Sequence, residues 1–213
     1  NLSPADDFGH ETQTRNFQLD PNAQPGWTAT WTVEDAYKIL PENTPVAMTA
    51  TDLTEEARAG TSEAWIATGG YDSTNERWVP RVMVDRQGEA LQSTFVSVYE
   101  VHAPDVAPMK VTRLPLHDGK GTEDSDSHVA LLIQRSEGEY DILILRDPES
   151  PGHVNVTLPD GSLMEGDGDV SLVRVEPSGT VTYAGMAAGT KLTFGTFALE
   201  NPSNKSFVRT LTP

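Results

Sequence analysis

The chain has 213 residues, with 15 lysines and arginines against 32 aspartates and glutamates, a net charge of −17 and no cysteine. That charge repels phosphate backbones and anionic membrane surfaces at long range, which argues against a nucleic-acid partner, and the missing cysteines exclude disulfides and thiol chemistry. No run of about 18 apolar residues occurs, so no membrane-spanning helix is expected.

The length suits a single β-sandwich-like domain over residues 1–213, with a subdivision near 117–127 as the alternative. The chain starts at Asn1 with no basic segment leading into an apolar one, and reads as processed or excised from a larger protein. Its sequons at Asn1, Asn155 and Asn204 fit a secreted or periplasmic, cell-envelope location.

Taken in order, the first strong element is Trp27–Val33, where Trp27, Ala29 and Trp31 alternate with threonines in the period-two pattern of a half-buried strand. Further strands are expected at Val46–Ala50, Ala64–Thr68, Trp78–Val84 and Thr94–Val101. The second half adds Met109–Leu114, His128–Gln134, Tyr140–Arg146, His153–Leu158, Val170–Glu176, Val181–Met186, Lys191–Phe194 and Phe207–Leu211. Asp85-Arg86-Gln87-Gly88, Pro159-Asp160-Gly161 and Pro177-Ser178-Gly179 read as hairpin turns. Only Thr54–Gly60 reads as a helical turn, with Thr54 as its cap. The fold class expected is all-β, an antiparallel sandwich of many short strands.

The polar stretch His117–Ser127 is expected to be an exposed loop. Its acidic residues Glu123, Asp124 and Asp126, and the run Glu165-Gly166-Asp167-Gly168-Asp169, carry oxygen ligands of the kind calcium takes, although solvated turns are the plainer reading because neither completes a calcium-loop pattern. No cofactor is required. The five histidines show no metal-ligand spacing, and nucleophile-elbow, phosphate-loop and dinucleotide patterns are missing. Tyr99 and His102 could be imagined as a proton-transfer pair, but an odd separation puts them on opposite faces of a regular strand.

Aromatic residues carry the binding expectation, because sugar rings stack on exposed indole and phenol faces. Trp27 and Trp31 stand about 13 Å apart on one strand face, either as core or as a sugar platform. Tyr71, Arg77 and Trp78 surround the polar loop at residues 69–76 and form a second candidate cluster. The basic residues Arg77, Arg81, Arg86, Lys110, Arg113 and Lys120 could make one positive face, although strand residues scatter to both sides of a sheet.

The segments Gly26–Asp35 (GWTATWTVED) and Arg77–Pro104, above all Thr94-Phe95-Val96-Ser97-Val98-Tyr99-Glu100, resemble the C-terminal β-rich region of heparinase II/III-type polysaccharide lyases. Here Val101 and His102 intervene before Pro104, where the family places Glu next to Pro. The resemblance implies a parent protein with an α-helical catalytic domain that cleaves uronate-containing polysaccharide by β-elimination. No position matches the family's catalytic or metal motifs, so none is carried over. The expectation is therefore a non-catalytic accessory C-terminal domain that supports the catalytic part and contacts an acidic polysaccharide. An autonomous carbohydrate-binding module and a cell-surface adhesion or scaffold sandwich are the alternatives.

Overall fold

A computed structural model describes residues 13–35, 38–41, 44–67, 76–118, 127–150, 152–203 and 206–211. Among these residues there are seventeen strands and no helix, and every strand pairing is antiparallel. The expected all-β class is the observed one. The chain divides into two compact units, Asn1–Leu91 with Ser97–Ala107, and Gln92–Val96 with Pro108–Pro213.

The first unit holds β1 (Thr14–Asp20), β2 (Trp27–Thr32), β3 (Ala47–Asp52), β4 (Arg58–Ala67), β5 (Glu76–Asp85) and β6 (Ser97–His102). They form two three-stranded sheets, ordered β1-β4-β5 and β2-β3-β6. The buried apolar residues of this unit are mostly small, namely Ala47, Ala50, Ala57 and Ala59 with Leu53, and Thr49, Thr51 and Thr54 are buried among its polar residues. Its tryptophans are only half-buried.

The second unit contains β7 (Lys110–Leu114), β8 (Leu116–Asp118), β9 (His128–Ser136), β10 (Glu139–Arg146), β11 (Val154–Thr157) and β12 (Leu163–Gly166). It continues with β13 (Val170–Val175), β14 (Val181–Ala187), β15 (Lys191–Phe194), β16 (Phe197–Glu200) and β17 (Phe207–Leu211). β7 and β8 go to different sheets and β9 to β16 go two at a time to each in turn, giving one sheet ordered β17-β14-β13-β10-β9-β7 and the other β16-β15-β12-β11-β8. Period-two alternation turns Ile142, Ile144, Val173 and Met186 of the first sheet and Val154, Val156, Met164 and Leu192 of the second into one aliphatic core.

The hairpins follow from turn chemistry. Between β11 and β12, and again between β13 and β14, the loop is Pro-Asp-Gly or Pro-Ser-Gly. The Gly161 N–H donates to Leu158 O (2.9 Å) and the Gly179 N–H to Glu176 O (2.8 Å), which closes each turn. Proline presets the first turn residue, and the glycines take φ of 86° and 79°, where a side chain would be strained.

Three expectations need correction. Residues 85–88 do not make a hairpin, because β5 pairs with β4 behind it and the next strand, β6, pairs with β3 in the other sheet. A turn signal encodes a change of direction and not the identity of the partner. Thr54–Gly60 is a tight turn at Glu55–Glu56 followed by the start of β4, since a segment this short cannot repay helix nucleation while Arg58–Gly60 can pair with β5. His117 and Asp118 lie within β8 and pair with β11, while residues 119–126 of the expected loop fall outside the described residues.

Core and surface predict opposite responses to truncation. Ile142→Ala removes a fully buried side chain from β10 and is expected to cost about 2–5 kcal/mol. Ile39→Ala, at a residue 80% exposed, should change stability by less than about 0.5 kcal/mol. Denaturant unfolding of the two variants checks this, and equal losses would mean that the core is misassigned.

Candidate functional site

The site is built on β2. Trp27, Ala29 and Trp31 share one face of this strand, and the threonines take the other. Register carries the same face across the sheet, pairing Trp27 with Asp52, Ala29 with Ala50 and then Tyr99, and Trp31 with Met48 and then Val101. Tyr99 and Val101, on the edge strand β6, are 58% and 67% exposed. In the register the pair Ala29 and Ala50, the latter buried, lies between the positions of the two indoles and beside Tyr99.

The opposite wall comes from β1 and β4. Their pairing runs Arg15 to Glu63 and Gln18 to Thr61, so Asn16 and Phe17 together oppose one residue of β4 in a β-bulge. Asn16 takes a left-handed φ of 53° at the bulge. Its Nδ2 donates to Glu63 Oε2 (2.8 Å), and Arg15 Nε donates to the same oxygen (2.7 Å). The hydrogen bond from Arg15 holds the Glu63 carboxyl below the usual carboxylate range; desolvation opposes it, and the Arg15 charge and the Asn16 hydrogen bond add to the lowering. The Arg15 guanidinium also stacks over the Trp78 ring at 4.1 Å from its centroid.

Two open pockets lie between these walls. One, of about 510 Å³, is lined by Trp31, Gln18, Asn16, Thr61, Glu63 and Pro80 among others. The second, of about 400 Å³, is lined by Trp27, Ala29, Gln18, Asp20 and Thr61 among others. Gln18 and Thr61 border both, so the pockets are neighbouring parts of one groove. An indole edge or face beside amide, hydroxyl and carboxylate groups is the combination that binds a sugar ring by its apolar face and its hydroxyls together.

Of the residues singled out in the sequence, Trp27 and Trp31 meet in this groove. Trp78 lies on the same face of β5 as Pro80, with one ring side under Arg15. Arg77 points to the other face of β5, and Tyr71 lies outside the described residues. Sequence reading missed Gln18 and Asn16 because β1 and its bulge carry almost no alternation signal, and it missed Glu63 of β4, whose place follows from the pairing with β1, and Tyr99 as a companion of the tryptophans.

Tyr99 and His102 do lie on opposite faces of β6. His102 Nδ1 faces Ala103 O (2.8 Å) and therefore donates, which leaves Nε2 to accept from the Thr49 hydroxyl (2.9 Å); Thr49 in turn accepts from Thr30 (2.8 Å). This chain of bonds ties three strands of the sheet together.

The acidic run after β12 is used internally. Asp167 Oδ1 accepts the N–H groups of Thr190 (2.8 Å) and Lys191 (2.9 Å), and its Oδ2 accepts the Thr190 hydroxyl. Asp169 accepts from Arg146 (3.1 Å), whose other nitrogen donates to Gly152 O (2.6 Å). Among the described residues no three His, Asp or Glu side chains converge on a metal position. Glu123, Asp124 and Asp126 lie outside the described residues.

Two predictions follow from this geometry. A Cβ on Gly60 would sit 2.3 Å from the backbone oxygen of Gln18, so Gly60→Ala must push β1 off β4. The expected result is a loss of about 1–3 kcal/mol, together with a red shift of tryptophan emission as the groove opens. Burial raises the Asp167 pKa, but the hydrogen bonds from Thr190 and Lys191 outweigh it and leave the pKa lowered. Its stabilising contribution is therefore full above the ordinary carboxylate range and fades as pH falls from there through the lowered value. Asp167→Asn should flatten the acid limb of a stability–pH curve measured by urea midpoints between neutral and acid pH.

Comparisons of the chain with protein-family models, with curated proteins and with solved structures found no match.

Proposed function

We propose that this chain is a non-catalytic, extracytoplasmic polysaccharide-binding domain, accessory to a polysaccharide-processing protein of the lyase type that its β6 region resembles. The observation that carries this reading is the pair Trp27 and Trp31 on one face of β2, each lining a pocket whose other walls mix polar groups with apolar ones, Phe17 and Pro80 beside Trp31 and Leu19 and Ala29 beside Trp27. The indoles supply apolar area for pyranose faces, and Gln18, Asn16 and Thr61 supply donors and acceptors for hydroxyls. The groove is made by strands of one unit, so binding does not require the catalytic part.

The reading needs no proton-transfer group in the groove. Its carboxylates are Glu63, tied to Arg15 and Asn16, and Asp20, whose Oδ1 accepts the Asn22 N–H (3.0 Å). The single titrating pair suggested by the sequence, Tyr99 with His102, is split across the sheet.

Affinity electrophoresis of the isolated chain through gels containing neutral or acidic polysaccharides tests the reading. At least one polysaccharide should retard the chain, Trp27→Ala and Trp31→Ala should each weaken retention about tenfold, and Trp78→Ala should do so much less, in line with about 1–3 kcal/mol for one stacking aromatic. A parallel absorbance assay should show no unsaturated uronate product. Retention that survives both tryptophan changes, or product formation, would defeat the proposal.

A further inference from the structure

We infer that the β2 groove selects an uncharged polysaccharide and rejects uronate-rich or sulfated chains; this rests on the binding reading above and narrows its ligand. All lysines and arginines of residues 1–91 and 97–107 are Arg15, Lys38, Arg58, Arg77, Arg81 and Arg86, and none of them lines either pocket. Arg15 borders the groove but spends its charge on Glu63 and on the Trp78 face. Arg58 is bound to Asp85 and Arg86 to Glu56. Arg77 and Arg81 sit four apart in a strand without register shifts, opposite in face to Trp78 and to the pocket residue Pro80.

Among the described residues the charges that line the groove are both carboxylates, Glu63 and Asp20. Glu63 is balanced by Arg15, which leaves Asp20 as a net negative charge beside Trp27, within a chain of net charge −17. A carboxylated or sulfated sugar entering here would approach a like charge with no cation to receive it, and at low ionic strength this repulsion reaches across the groove. A neutral pyranose chain meets indole faces, amides and hydroxyls and has no such cost. The expectation drawn from the lyase resemblance, an acidic polysaccharide, is therefore replaced at this site by a neutral one.

Electrophoresis at low and at physiological salt, in gels of hydroxyethylcellulose or galactomannan and in gels of alginate or heparan sulfate, tests the selectivity. The wild-type chain should be retarded by a neutral polymer with little dependence on salt and should pass freely through the acidic ones. Asp20→Lys should turn free passage through alginate gels into measurable retardation at low salt, and physiological salt should abolish that gain. Tryptophan-dependent retention by alginate or heparan sulfate but not by neutral polymers would overturn the inference while leaving the groove as a sugar site. An unchanged alginate affinity in Asp20→Lys would also overturn it, because the charge would then not set selectivity. Free passage through every gel would instead remove the binding reading itself, and the inference with it.

Discussion

Every described element of this chain satisfies its backbone through a neighbouring strand, so each side chain's position is set by two things, the parity of its place in the strand and the register of the pairing. A slip of one residue in β2 would exchange Trp27 and Trp31 for the threonines between them. The pairing of Trp27 with Asp52 through Thr32 with Ala47 holds that register over the whole strand. On the other wall, Gly60 against Gln18 lets β1 approach β4 closely enough for the Asn16–Phe17 bulge to turn its polar groups toward Glu63. The groove is the product of these two registrations.

The two units solve burial differently. The second fills the space between its sheets with branched and long aliphatics, of which Ile142, Ile144, Val156 and Met164 are wholly inaccessible. The first buries alanines and threonines and leaves its large aromatics at the margin. Ala29 pairs with the buried Ala50 across its sheet and Ala59 of β4 is buried as well, so small residues fill this unit's interior while Trp27 and Trp31 stay half-buried. The small-residue core and the exposed aromatic face are thus two sides of one arrangement, and the second is what a sugar-binding surface uses.

How much of this could be read from the residues depended on how local the signal was. The parity of β2 was legible because Trp27, Ala29 and Trp31 alternate with threonines, and the ends of β15 and β17 were legible because Gly, Ser and Thr bracket their apolar residues. The Pro-Asp-Gly and Pro-Ser-Gly hairpins were equally local. β1 was not legible: Thr14–Asp20 has two apolar side chains and an irregular register, and its partners on β4, from Ala59 to Ala64, lie far away in the chain. The same non-locality hid the alignment of Tyr99 with the tryptophans and the tie between Arg15 and Trp78. The acidic run 165–169 looked ligand-like because sequence displays carboxylates but not the N–H groups of Thr190 and Lys191 or the Arg146 guanidinium that consume them.

The central claim is that sugar lies against Trp27 and Trp31, and the most direct measurement is an NMR titration of the indole N–H signals of the isotope-labelled chain with a neutral oligosaccharide. The four tryptophans provide four separate reporters. The account predicts that the Trp27 and Trp31 signals move together and saturate, while Trp65 and Trp78 move much less. Indole signals that stay fixed, or shifts confined to Trp65 and Trp78, would contradict it.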